Sequence, residues 1–207
     1  MGAEVFWNSR FKGEEYVYGV EPNEFFKEAF DKYKLAGKAL FVAEGEGRNS
    51  VFAAKKGANV VAVDVSTEGK KKAEALAKKE NVKIEYIIKD IAKLDYKNEF
   101  DFAVLIFAHF PDMLREDFHK KVIDSLKVSG IVVLEAYTQK QLELRKLFPH
   151  NGGPSSLEML YTKEQIENDF KDLEILYIEE REVDLNEGRF HSGKSSVIRL
   201  VAKVGAY

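Results

Sequence analysis

From Lys38 onward, short apolar runs alternate with amphipathic stretches. Lys38–Ala43 is an apolar run followed by a glycine-containing turn, and residues 48–56 read as a helix. Asn59–Val63 is a second continuous strand ending in Asp64, and a helix is predicted from about Thr67 to Glu80. Val82–Ile88 predicts a third strand ending in Asp90. Phe100–Phe107 predicts a fourth, followed by Pro111 and a helix to about Lys127. Ser129-Gly130 then turns the chain into a fifth strand, Ile131–Ala136. Strands buried on both faces read as near-continuous apolar runs, so this alternation predicts a doubly wound, mostly parallel α/β sheet.

The two ends follow other patterns. Residues 1–37 open with a polar-aromatic stretch to Tyr18 and a turn at Gly19–Asn23, then predict an amphipathic helix near 23–34. Pro22 sits where a helix start tolerates it. At the other end, a loop at Pro149–Ser156 and a short helix from Lys163 precede two β-patterned segments, about Leu173–Val183 and Ser195–Val204. Asn186–Gly193 between them is too short for a crossover helix, so an antiparallel C-terminal hairpin is expected. The expected organisation is one domain over 1–207, with an N-terminal cap segment (1–37), a cofactor-binding half (38–136) and a substrate-side half (137–207).

Composition narrows the classes. The 207 residues, 45% hydrophobic and 32% charged, suffice for a sizeable core. No apolar run approaches the ~20 residues of a membrane helix, and the first residues lack the pattern of a signal peptide. With zero cysteines there is neither a disulfide framework nor a thiolate metal site. A cytoplasmic protein is expected, acting on a small molecule rather than on nucleic acid or membrane, as a monomer or homodimer. The net charge of −3 argues against a nucleic-acid surface. The basic run Lys70–Lys79 is interleaved with Ala and Glu at helical spacing and reads as a solvated face.

Candidate chemistry begins at Ala43-Glu44-Gly45-Glu46-Gly47-Arg48-Asn49, after the first strand. A strand, a glycine turn, a helix and a second strand ending in an acid form a nucleoside site in many α/β folds. Gly45 and Gly47 are expected to let the ligand approach the backbone, and Asp64, with Val65 beside it, to accept from the ribose hydroxyls. Asp64 lies seventeen residues beyond Gly47. Charge separates the candidate ligands. A pyrophosphate beside Glu44 and Glu46 would be repelled by on the order of several kcal/mol, and Ser50 replaces the third glycine of the dinucleotide fingerprint. S-adenosyl-L-methionine carries a sulfonium and an ammonium and no phosphate, so two loop acids suit it. Arg48 could bind a carboxylate or pair with Glu46.

Five separated strings then carry a resemblance. They are Glu-Gly-Glu-Gly-Arg-Asn (44–49), Ile-Phe-Ala-His-Phe-Pro (106–111), Leu-Glu-Ala-Tyr-Thr (134–138), Gly-Gly-Pro (152–154) and Glu-Gly-Arg-Phe-His-Ser-Gly (187–193). In this order the chain resembles the tellurite-resistance (TehB-like) branch of the class I S-adenosylmethionine-dependent methyltransferases, from Trp7 to Lys203. The resemblance implies a seven-stranded sheet and direct in-line methyl transfer, with S-adenosyl-L-homocysteine as product. It also implies that Asp90 and Ile91 flank the adenine, with helix capping as the other reading of Asp90. Phe41 and Ala43 stand where most class I enzymes keep a strand acid, so Glu44 would take over the ammonium. Asn49 and Phe107 join the expected cofactor residues. In related enzymes the N-terminal segment covers the site, so Tyr16 and Tyr18 could meet the sulfonium through their ring faces and Arg10 a carboxylate.

Methyl transfer from a sulfonium needs alignment and exclusion of water more than a protein nucleophile. The histidines 109, 119, 150 and 191 show no metal-ligand spacing, and no metal is expected. His109, after the fourth strand, is the candidate general base or acceptor-orienting residue, and Phe110, Tyr137, Arg189 and His191 are the candidate acceptor contacts. His119, among charged residues, reads as a surface position. The acceptor class stays open between a thiol, a chalcogen oxyanion and a small metabolite. The alternatives are a non-catalytic S-adenosylmethionine-binding protein and, disfavoured by charge, an NAD-dependent oxidoreductase.

Overall fold

A computed structural model describes residues 2–148 and 151–205, so Pro149 and His150, at the start of the expected loop, lie outside the described residues. Seven strands form one sheet: β1 (Lys38–Val42), β2 (Asn59–Asp64), β3 (Glu85–Ile88), β4 (Phe100–Ile106), β5 (Leu126–Tyr137), β6 (Glu174–Asn186) and β7 (Ser192–Lys203). Their order across the sheet is β3-β2-β1-β4-β5-β7-β6. The first five run parallel, whereas β7 pairs antiparallel with both β5 and β6.

Alternation along the strands loads both faces. Leu40, Val61, Leu105, Leu134 and Leu200 point to one side, where they meet Phe118 and Val122 of α5 (Asp112–Ser125) and Ile166 of α7 (Lys163–Asp169). Phe41, Val60, Phe102 and Val133 point to the other, against Phe26 and Phe30 of α2 (Glu24–Lys32), Ala53 of α3 (Arg48–Lys55) and Ala73 of α4 (Thr67–Lys79). Burial on both faces is why these strands read as unbroken apolar runs. Phe41, where a strand acid was sought, is fully buried edge-on against Phe26 and Phe102.

Caps place the helix starts facing the site. The Asn23 Oδ1 accepts from Phe26 N–H at 2.9 Å, and the Ser66 hydroxyl oxygen accepts from Gly69 N–H at 3.0 Å. Two helices escaped the sequence pattern: α1 (Ala3–Phe11), whose apolar and polar residues are not segregated onto opposite faces, and α6 (Gln141–Leu147). Three boundaries also differ. β3 starts at Glu85. Ser129-Gly130 is an irregularity inside β5, with Phe100 facing Leu126 and Phe102 facing Ile131, because the strand begins directly at the end of α5. The C-terminal strands pair as far as Asn186 and Ser192, which reduces the hairpin tip to residues 187–191. No helix among the described residues is long and apolar enough to cross a membrane.

Candidate active site

Ala43 leaves β1 at φ 53° and is exposed, and Glu44, Val65 and Phe107 beside it are half-buried. This strip runs along the carboxyl ends of β1, β2 and β4, where ligands bind in open α/β sheets. Glu44 accepts a 2.7 Å hydrogen bond from Ser50 N–H in the first turn of α3. Burial pushes its carboxyl up to about 7, against the opposing pull of Ser50 and Arg48. Its carboxylate is left without an ion-pair partner among the described residues. Glu46 is not: it is buried, pairs with Lys72 at 2.7 Å and accepts from Tyr18 N–H. The loop therefore offers a ligand one acid rather than two. Lys72 is also the member of the basic run that turns inward, since its side chain is only 12% exposed.

The glycines act differently from the sequence expectation. Gly47, at φ 91°, turns its bare face to Ala73 of α4, whose Cβ lies 2.6 Å from where a side chain would begin. Gly45 faces the Phe11 ring at 3.1 Å. Both admit a neighbouring helix, and the ligand-facing surface is left to Ala43 and Glu44. Gly45 is further held by its N–H donating to Asp64 Oδ2 (2.9 Å) and its carbonyl accepting from the Tyr86 hydroxyl (2.6 Å).

Asp64 also accepts from Ser66 N–H at 2.9 Å through its other oxygen. Burial raises its pKa while these backbone bonds pull it down. Two backbone donors leave lone pairs on both oxygens for ribose hydroxyls. Capping of α4 falls to Ser66, helped by Asn8, whose Oδ1 accepts from the Ser66 hydroxyl and from Glu68 N–H. Asp90 is exposed and caps the short turn Ile91–Lys93 through Ala92 N–H at 2.8 Å, with Ile91 buried beneath it. Asn49 is buried and accepts from Asn23 N–H at 2.8 Å, so it anchors α2 rather than opening to the cleft.

The N-terminal segment crosses the site but divides its aromatics. Tyr16 is spent on α4, donating to Lys72 O at 2.9 Å beside Val51 and Leu76, which corrects its expected place in the cofactor cleft. Tyr18 reaches the site, its ring 4.3 Å from that of His191. Arg10 lies over Phe190 at 4.1 Å, and its charge opposes the upward push of burial on the Tyr18 hydroxyl's pKa.

On the acceptor side the structure gathers Phe107, Tyr137 and His191. Phe107 stacks on Tyr137 at 4.6 Å and lies 4.2 Å from His191. His109 has both ring nitrogens committed to backbone: Nε2 accepts from Tyr137 N–H at 3.1 Å, so Nδ1 carries the proton it donates to Met159 O at 2.7 Å. Burial drives its pKa down to about 4. This corrects the general-base expectation, since neither nitrogen is left for an acceptor's proton, and His109 instead pins the end of β5 to the 157–160 segment. Two acceptor contacts are also corrected. Phe110 is core, packed edge-on against Phe118, and the Arg189 side chain is exposed. His119 is fully buried rather than superficial, bonded through Nδ1 to Asp169 at 2.7 Å beside Arg115.

A buried polar network beneath these rings was not foreseen. Asn23 Nδ2 donates to Glu135 (2.7 Å) and to Glu187 (3.0 Å), Arg199 pairs with Glu135, and Arg48 Nη2 pairs with Glu187 at 2.7 Å. Glu135 is the only polar member of Leu134–Tyr137 apart from the tyrosine hydroxyl, which was the available signal. An open groove of about 880 Å³ between residues 18–28 and 181–188 touches this network only through Glu187 and Arg199.

A parallel sheet closed by an antiparallel seventh strand between β5 and β6, with a ligand loop after β1 and an acid ending β2, is the class I methyltransferase architecture. Residues 39–130, a little under half of the chain, match the family described as a methyltransferase domain. No curated protein matches the chain in sequence. Among solved structures it is similar to magnesium protoporphyrin IX methyltransferase from Synechocystis PCC 6803 with bound SAH (TM-score 0.71, 16% identity, 98% of each chain). It is also similar to TehB from Haemophilus influenzae (TM-score 0.70, 17% identity, 97% of this chain and 66% of that one). A third is a protein solved in work on conversion of a disulfide bond into a thioacetal group during echinomycin biosynthesis (TM-score 0.78, 12% identity, 99% and 93%). At these identities the likeness is one of fold.

Proposed function

We propose that the chain is an S-adenosylmethionine-dependent methyltransferase acting on a small-molecule acceptor. The observation that carries this reading is Glu44, a half-buried carboxylate raised to about 7 at the carboxyl edge of the sheet, with no cation among its described neighbours close enough to form a salt bridge. Glu44 would hold the methionine ammonium, Asp64 the ribose and Asp90 the adenine amino group. The cofactor supplies an electrophilic methyl on a sulfonium. The chain's own residues bind and orient: Tyr18 and Phe107 wall the site, and the strap from Phe11 to Tyr18 excludes water.

Placement in the tellurite-resistance branch draws support from the five ordered strings and from the fold shared with TehB. A net charge of −3 supports a small acceptor over nucleic acid, the zero cysteine count accords with a cytoplasmic setting, and the chain would act as a monomer or homodimer. Calorimetry with S-adenosylmethionine, S-adenosylhomocysteine and NAD on one sample tests the reading. Binding of both adenosyl ligands with methyl transfer in an acceptor panel is expected, whereas binding of NAD alone would sink it. Tight adenosyl binding with no turnover on any acceptor would favour the non-catalytic alternative.

A further inference from the structure

Three neighbouring side-chain atoms are buried without a partner among the described residues: Arg48 Nη1, Tyr137 Oη and His191 Nδ1. Their residues are 6%, 1% and 7% exposed. Natural interiors pair nearly all such atoms, and an unmade bond at a buried polar group is costly, so a cluster of them marks a place built for a polar guest. The chain brings them together from three elements. Arg48 opens α3, Tyr137 ends β5, and His191 closes the hairpin tip, where Glu187 N–H donates to His191 O at 2.8 Å. The Arg48–Glu187 pair sits on that same tip. Tyr137 and His191 meet edge to face at 5.7 Å. Gly152 lies against them, and a Cβ there would fall 2.6 Å from Tyr137 Oη.

We infer that Arg48, Tyr137 and His191 form a buried acceptor subsite that takes the carboxylate of a small organic acid. This rests on the methyltransferase reading of the adjoining cleft. The chemistry follows from the donors. A guanidinium with one arm tied to Glu187 keeps the other for an oxygen anion, and a phenol hydroxyl and an imidazole N–H are both able to donate to it. The surroundings choose the rest of the molecule. Phe107, Tyr18 and the Leu160–Leu185–Val197 cluster beneath Tyr137 are apolar or aromatic, so donors occupy one side of the subsite only. An inorganic oxyanion exposes acceptors all round, whereas an organic acid is polar at one end.

The test is calorimetry on the full chain saturated with S-adenosylhomocysteine, titrated with acetate, butyrate, benzoate and, as the inorganic counterpart, selenite. The expected result is saturable binding of at least one carboxylate with a Kd on the order of 1 mM or tighter. Tyr137→Phe, which removes one hydroxyl, and His191→Gln should each weaken it about tenfold. Both variants should bind S-adenosylhomocysteine as the wild type does. Binding of selenite alone, binding of nothing, or carboxylate binding indifferent to both variants overturns the proposal. A tenfold loss of S-adenosylhomocysteine affinity in either variant would assign the three atoms to the cofactor and also overturn it. Failure of the wild type to bind S-adenosylhomocysteine at all is a separate result, which overturns the methyltransferase reading instead.

Discussion

Arg48, in the first turn after the glycine loop, is ion-paired at 2.7 Å with Glu187 at the tip of the C-terminal hairpin, both side chains over 90% buried. The pair joins the start of α3 to the tip of the C-terminal hairpin. Asn23 adds the N-terminal cap segment to the same carboxylate.

Breaking that pair from one side should be expensive, because it strands the other charge in the interior. Glu187→Ala is expected to lower unfolding free energy by about 3–5 kcal/mol. Arg48→Ala in the same background should then cost far less than it does alone. Chemical denaturation of the four members of the cycle measures this, and additive losses would mean that the two charges are solvated separately.

The elevated carboxyl of Glu44 sets a pH dependence on cofactor binding. Below about 7 the carboxyl holds a proton, and an ammonium must displace it to be bound. Affinity for S-adenosylmethionine should therefore rise with pH up to about 7 and level off. The limit is about tenfold per pH unit. Calorimetry from pH 5 to 7 should show this slope in the wild type and none in Glu44→Gln. A flat wild-type profile would remove Glu44 from the ammonium site.

His109 should act on stability rather than on chemistry. Its folded pKa of about 4 lies below the usual 6.5, so between these values the unfolded chain holds a proton that the folded chain does not. Its contribution is complete above about pH 6.5 and is lost as pH falls toward 4. The loss is at most about 3 kcal/mol, reduced by whatever solvent reaches the ring. His109→Gln should flatten the acid limb of the stability curve. It should also leave no inflection missing from the pH profile of kcat/KM between about 4 and 6.5, whereas loss of such an inflection would restore the general base.

Gly47 and Gly57 share a left-handed backbone near φ 90° but differ in surroundings. Gly57→Ala meets open space and should cost only about 1–2 kcal/mol of backbone strain. Gly47→Ala drives a methyl into Ala73 and should cost an additional 1–3 kcal/mol or so. Thermal melts of the two variants compare them directly. Equal shifts would show that α4 is free to move away from the loop.

Local patterns carried the scaffold. Apolar runs such as Val60–Val63 and Phe102–Leu105 must be buried on both faces wherever they pack, so periodicity determined the parallel sheet and its flanking helices. The spacing from Gly47 to Asp64 likewise placed the loop and the acid at adjoining strand ends, because one helix and one strand span it. What only the tertiary structure decided is pairing. Glu44 and Glu46 are equivalent in sequence, yet Lys72 of α4 pairs with Glu46 and leaves Glu44 without an ion-pair partner among the described residues. His109 lost its chemical role to two backbone groups, from Tyr137 and Met159, that the fold brings to its ring. His119 went inward because Asp169, far along the chain, meets it there. Burial of an apolar residue is favourable against any apolar neighbour and so is written locally, whereas a charge is indifferent to its neighbours in sequence and depends on the one partner that folding sets within about 3 Å.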